Sequence, residues 1–86
     1  MDSKTIEQMI RTGLPGAEVT VKGDDGVHFE AVVVSQDFKG KSTLQRHRLV
    51  YATLGEKMGH EIHALGLRTE TPEQAGEHRQ PDPSGS

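Results

Sequence analysis

Almost all apolar residues of this 86-residue chain lie before position 69. Hydrophobic residues make up 31% of the chain, which is 27 residues, and 26 of them lie in residues 1–68 while only Ala75 lies beyond. A domain of this size buries only about 60% of the surface that its unfolded chain exposes. We therefore predict one domain over residues 1–71, followed by a disordered acidic tail rich in Pro, Gly and Ser over residues 72–86.

The absences in the sequence exclude several classes of protein. No apolar run is longer than four residues, the length of Ala31–Val34, which is far short of the roughly 18 apolar residues that a membrane span needs, and we see no secretory signal. The chain has no cysteine, which excludes a disulfide framework, a thiol nucleophile and a Cys-rich metal site, and is compatible with a reducing, cytoplasmic location. No acid/base pair has catalytic spacing, so we predict that the chain is not an enzyme.

The first half of the domain is predicted to be a helix followed by a hairpin. Apolar spacing indicates a helix over Ser3–Thr12, with Thr5-x-x-Gln8 as a capping box or Asp2 or Ser3 as an alternative N-cap. Alternating residues predict strands over Ala17–Lys22 and Val27–Ser35, and the short turn between them favours antiparallel pairing.

The second half is predicted to be a helix and a last strand. Ser42-x-x-Gln45 is a capping box, and Gly59 is the expected end of the helix that follows. The apolar stripe of this helix is predicted to comprise Leu44, His47, Val50, Tyr51, Leu54 and Met58, with His47 packed or hydrogen-bonded in the core. The last strand is expected over Glu61–Thr69, which gives the order αββαβ.

The middle of the chain is basic. Residues 38–68 carry six Lys or Arg against two acids, although the whole chain has a net charge of −3. Lys39, Gly40, Lys41, Arg46 and Arg48 surround the start of the second predicted helix, where backbone N–H groups and cationic side chains can bind phosphate. The alternatives are an ordinary solvated face and a docking surface for an acidic protein. Because the segment lacks interleaved aromatic residues, stacking on single-stranded nucleic acid is poorly supported.

Several short motifs together resemble the BolA family, and most closely its shorter, acid-stress branch. They are His28-Phe29, Val33-Val34-Ser35, Phe38-x-Gly40, Leu44-x-Arg46-His47-Arg48-x-Val50-Tyr51, Ile62-His63-Ala64-Leu65 and Thr69-x-Thr71-Pro72. The resemblance implies a small α/β (α+β) fold that is KH-like, with a three-stranded mixed sheet and helices packed on it. It also implies a partner, a monothiol glutaredoxin with a CGFS site. The two proteins would hold a [2Fe-2S] cluster in a mixed complex, with glutathione as a further ligand.

The resemblance assigns the metal ligand of this chain to His63. From its position alone, His63 is either a ligand or a histidine packed at a strand edge beside Leu65. Family members commonly carry a second His or Cys in the first hairpin loop, but residues 22–27 contain neither, which leaves His28 as the nearest substitute. One protein ligand cannot hold a cluster, so thiolates from a partner are required.

Three functions follow as alternatives. The first is an adaptor that pairs with the glutaredoxin in iron–sulfur trafficking, iron homeostasis or stress response. The second is a transcriptional regulator that binds nucleic acid weakly through residues 39–48, and the third is an interaction domain without metal. We expect no membrane partner, no cofactor on the isolated chain, and a monomer or weak homo-oligomer in solution.

Overall fold

A computed structural model describes residues 1–23, 25–26, 28–62 and 64–79, with side chains as far as Glu77. The elements in chain order are α1 (Ser3–Gly13), β1 (Glu18–Lys22), β2 (His28–Val34), α2 (Thr43–Leu54), β3 (Ala64–Glu70) and α3 (Pro72–Arg79), with single 3-10 turns at Gln36–Phe38 and Gly55–Lys57. In this part of the chain no helix has the length and apolar character needed to cross a membrane.

The strands form one three-stranded mixed sheet, as predicted. Its order is β1-β2-β3, with β1 antiparallel and β3 parallel to the central strand β2. On β2, Phe29, Ala31 and Val33 are buried, whereas His28 and the other residues of the alternate face as far as Val32 are exposed. The helices therefore cover one face of the sheet and leave the other open to solvent.

The first helix is fixed by a cap and by two core residues. Asp2 is the N-cap, and its Oδ1 accepts a hydrogen bond of 2.8 Å from the backbone N–H of Thr5. The alternative cap in the prediction is thus confirmed, and the capping box that starts at Thr5 is wrong. Ile6 and Ile10 are fully buried one turn apart and pack against residues of β1 and β2.

The second helix begins as predicted, but the glycine that terminates it is Gly55, four residues before the predicted Gly59. Ser42 and Gln45 form the reciprocal capping box, with bonds of 2.9 and 3.2 Å. The helix ends at Leu54 because Gly55 takes a φ of +54°, which redirects the chain well before Gly59.

The predicted apolar stripe of α2 is wrong in part. Val50 and Leu54 are buried, but Leu44 is 60% exposed and Tyr51 37% exposed. His47 is half-buried and packs its ring edge-on to Tyr51, with centroids 6.2 Å apart, rather than entering the core. The helix buries a narrower face than the sequence indicates because it packs mainly against one neighbour, α1, and less against β3.

The largest difference from the sequence-based expectation lies after residue 71. Pro72–Arg79 form the helix α3, where we predicted disorder. Thr71 and Gln74 cap it reciprocally, since the backbone N–H of each donates to the other's side chain, at 2.9 and 3.2 Å. Ala75 is only 4% exposed, so the one apolar residue of the segment attaches the helix to the domain. Residues 80–86 lie outside the described residues, and their predicted disorder stays a prediction.

Candidate functional site

The starts of the two parallel strands, β2 and β3, lie side by side at one edge of the sheet. His28 opens β2 and pairs in register with Ala64, which opens β3. We call this edge the sheet rim and define it by Gly23, Asp25 and His28. His63 precedes Ala64 in the sequence but lies outside the described residues, so its ligand role stays a prediction.

A single carboxylate holds His28 by two hydrogen bonds. The backbone N–H of His28 donates to Oδ1 of Asp25 at 2.8 Å, and Nδ1 of the imidazole lies 2.6 Å from Oδ2. The imidazole side chain is 66% exposed, so its outer edge faces solvent. His28 therefore meets the first requirement of a ligand, an accessible ring in a defined orientation.

The rim also depends on a glycine. A methyl group on Gly23 would lie 2.4 Å from Cδ1 of Phe29 and 2.8 Å from the carbonyl oxygen of His28. Phe29 is buried in the core, so its ring cannot move aside cheaply. Gly23 thus allows the turn to pass directly over the first core residue of β2.

The turn that leads to β3 is fixed by the burial of Ile62 and by its backbone hydrogen bonds. Ile62 is fully buried, its N–H donates to the carbonyl of Lys57 at 2.9 Å, and its own carbonyl accepts from Gly59 at 2.9 Å. Lys57 also pairs with Glu61 at 2.8 Å, and this hydrogen bond lowers the pKa of the Glu61 carboxyl. The residues flanking position 63 are thus anchored by Ile62 in the core and by Ala64 in the sheet.

The described residues do not contain a complete metal site. Among residues 1–23, 25–26, 28–62 and 64–79, no group of three or more His, Cys, Asp or Glu side chains could hold a metal. The sequence contains no thiol, and a [2Fe-2S] cluster needs four ligands, at least two of them thiolates in known histidine-ligated types. The side chains of this sequence therefore cannot complete the ligand set of such a cluster by themselves.

Two of the candidate nucleic-acid-binding side chains are engaged by α3. Nζ of Lys39 lies 2.6 Å from Oε1 of Glu73, and this hydrogen bond lowers the pKa of the Glu73 carboxyl. Arg46 donates to Oε1 of Gln74 and to the backbone carbonyl of Lys41, both at 3.0 Å. The helix that was predicted to be disordered thus supplies partners for the basic segment.

The rest of the basic segment is exposed. Gly40 has a φ of +73°, the left-handed conformation in which a glycine is favoured. Lys41 and Arg48 line a surface hollow of about 380 Å³ together with Gly40. Of the five residues predicted to bind nucleic acid, these three face one hollow, and Lys39 and Arg46 are held by α3.

Sequence reasoning missed the side chains that act on the candidate residues. Asp25 was assigned only to the hairpin turn, although its position three residues before His28 is a usable signal for a carboxylate–histidine pair. Glu73 and Gln74 were assigned to the tail, although Thr71-x-x-Gln74 has the spacing of a capping box.

Comparisons with known proteins agree with the fold. The family model "BolA-like protein" matches residues 13–74. The human BolA-like protein 1 is 51% identical over 57 residues, which cover 66% of this chain and 42% of that protein. The "DNA-binding transcriptional regulator BolA" of Haemophilus influenzae is 49% identical over 47 residues, 55% of this chain and 46% of that protein.

A solved structure matches over most of the chain. The BolA homologue from Coxiella burnetii superposes with a TM-score of 0.78 at 47% identity, covering 87% of this chain and 96% of that one. By contrast, this chain spans less than half of the length of the two sequence relatives named above.

Proposed function

The chain belongs to the BolA family, and on that premise we propose that it is an adaptor that pairs with a monothiol glutaredoxin and ligates a shared [2Fe-2S] cluster. The observation that carries the proposal is the exposed, oriented imidazole of His28 beside the start of β3, in a chain without any thiol. An imidazole is a good ligand for iron, and its replacement of thiolate raises the potential of a [2Fe-2S] cluster.

In this proposal the chain's own residues supply nitrogen and orientation. His63 is the main ligand, since it occupies the histidine position of the motif Ile62-His63-Ala64, and His28 is the second candidate. Ile62 in the core and Ala64 in the sheet fix the backbone on both sides of position 63. The partner and glutathione supply the thiolates. We place this mixed complex in the cytoplasm, where thiols stay reduced.

Co-expression with the host's monothiol glutaredoxin tests this function. We expect a mixed complex with visible absorbance and visible circular dichroism. The variant His63→Ala should keep the fold but change the dichroism and make the cluster more labile, while His28→Ala should cause a smaller change. His60→Ala is the matched control, because His60 is exposed and lies outside the rim. A parent complex that forms without any visible chromophore would refute the cluster and leave the interaction domain without metal as the function.

A nucleic-acid-binding regulator is the second candidate. Lys41 and Arg48 are exposed beside the positive-φ Gly40, and the Haemophilus influenzae relative is named as DNA-binding. This candidate ranks second because Glu73 neutralises Lys39 and Gln74 engages Arg46.

Mobility shifts on matched and scrambled duplexes test the second candidate. We expect weak binding without sequence preference that falls steeply with salt. Sequence-selective binding at physiological salt that is lost in the double variant Lys41→Ala/Arg48→Ala would instead make the regulator the leading function.

A further inference from the structure

One carboxylate contacts both the backbone and the ring of His28, and these two bonds have different consequences. The bond from the backbone N–H to Oδ1 of Asp25 would by itself end the hairpin turn and start β2. The second bond, 2.6 Å between Oδ2 and Nδ1, joins the same carboxylate to the ring. It acts only on the imidazole.

The second bond determines which ring nitrogen carries the proton. An ionised carboxylate accepts hydrogen bonds and cannot donate them, so Nδ1 must be the donor. In a neutral imidazole the lone pair then lies on Nε2, the nitrogen farther from the backbone. Histidines that bind metals are commonly held in this way, with the second ring N–H donated to a carboxylate.

We propose that Asp25 is a positioning residue that holds His28 as the Nδ1–H tautomer and directs Nε2 outward as a metal ligand at the sheet rim. This inference rests on the proposed function and deepens it, because it assigns the second nitrogen donor of the shared site. With two bonds from one side chain, the orientation of the ring is set before any partner arrives, which reduces the entropy lost on ligation.

The surroundings of the ring leave room for a partner. His28 borders an open hollow of about 630 Å³ that Lys22 and Glu30 also line. Lys22 and Glu30 face each other across the β1–β2 register, with opposite charges on neighbouring strands. Glu30 lies on the same face of β2 as His28, so it is the matched acidic residue against which the role of Asp25 can be measured.

Ring-nitrogen NMR on the full-length isolated protein tests the tautomer. Long-range ¹⁵N–¹H spectra of the five histidines are recorded at a pH at which the His28 ring is neutral, as established by titrating the same signals. We expect the Nδ1–H tautomer at His28 in the parent, a shift toward Nε2–H in Asp25→Ala, and a parent-like spectrum in Glu30→Gln. A parent in the Nε2–H form would overturn the inference.

Binding of Zn²⁺ alone tests the ligand role. We expect Zn²⁺ to perturb Nε2 of His28 in the parent, and the affinity to fall on the order of tenfold in Asp25→Ala, as for other carboxylate partners of metal-bound histidine. If Asp25→Ala disturbs the fold, Asp25→Asn replaces it, because an amide still accepts the backbone bond but carries no charge for the ring. Equal affinity in parent and variant would also overturn the inference.

The two proposals can fail separately. Neither NMR spectra nor Zn²⁺ titrations of the isolated chain require a glutaredoxin, so a mixed complex without a cluster refutes the proposed function alone. Conversely, a His28 ring in the wrong tautomer refutes the role of Asp25 and leaves His63 as the ligand to be tested in the complex.

Discussion

The helix α3 should be part of the cooperative fold, and Ala75→Asp is the substitution that tests this. Ala75 is 4% exposed, so the new carboxylate must either stay buried or force α3 away from the domain. Burying an unpaired charge costs many kcal/mol. Releasing α3 costs less, about 1 kcal/mol for the Ala75 methyl group and about 1 kcal/mol for the cap at Thr71. Release is therefore the expected response, at a total of about 1–2 kcal/mol.

Thermal unfolding followed by circular dichroism measures this loss. In a domain of this size, 1 kcal/mol shifts Tm by roughly 4–8 °C, so Ala75→Asp should lower Tm by roughly 5–15 °C. Gly76→Ala is the matched variant in the same helix. A methyl group at Gly76 meets nothing within 4 Å, so this variant should raise Tm slightly through helix propensity. If neither substitution changes Tm, α3 does not stabilise the domain. The predicted domain boundary at residue 71 would then be correct for stability, because residues 72–86 would add nothing to it.

Three further predictions concern single positions. Gly40→Ala should lower the free energy of unfolding by about 1–2 kcal/mol through its positive φ alone, since the new methyl group would meet no atom within 4 Å. Lys39→Ala removes only an exposed ion pair and should leave Tm unchanged. Equal Tm values for the two variants would contradict this prediction. Gly23→Ala should destabilise the domain more than Gly40→Ala, because its methyl group would lie 2.4 Å from Cδ1 of the buried Phe29, and urea unfolding of both variants gives the comparison. The N-cap hydrogen bond lowers the pKa of Asp2 below its ordinary 3.8, so the stability it adds is present above that pH and is lost as the pH falls through the lower folded value. Asp2→Asn, which keeps the cap, should therefore flatten the loss of stability on acidification below about pH 4, and an unchanged slope would show that Asp2 contributes nothing to it.

The contacts of α3 with the basic segment, residues 39–48, favour the adaptor over the nucleic-acid-binding regulator. Glu73 and Gln74 lie within the eight residues that follow β3, and they contact Lys39 and Arg46. A phosphate backbone would have to compete with these contacts for the same cations. Removal of α3 should therefore strengthen any non-specific binding to nucleic acid, as measured by the mobility shifts described above.

Local patterns in the sequence were sufficient to predict most of the elements. The capping box at Ser42 and Gln45 and the alternation along β2 depend on residues within a few positions of each other. The mixed sheet was reached through the resemblance to the BolA family, and the structural similarity to BolA homologues confirms it. The cap and the alternation are decided by interactions that are local in sequence, whereas the pairing of β2 with β3 joins residues far apart in the chain, such as His28 and Ala64.

The sequence by itself determined which segments carry most of the apolar core, the order of the elements from α1 to β3, and which imidazoles are available in a chain without thiols. Only the tertiary structure decided that α2 ends at Leu54, that Leu44 and Tyr51 remain exposed, and that a further helix, α3, docks on the basic segment through Glu73. It also decided that Asp25 holds the ring of His28. The physical reason is that periodicity indicates which residues can be buried, whereas burial and ion pairing depend on which surfaces meet. Because α2 meets mainly α1 and, to a lesser extent, β3, it buries only one narrow face.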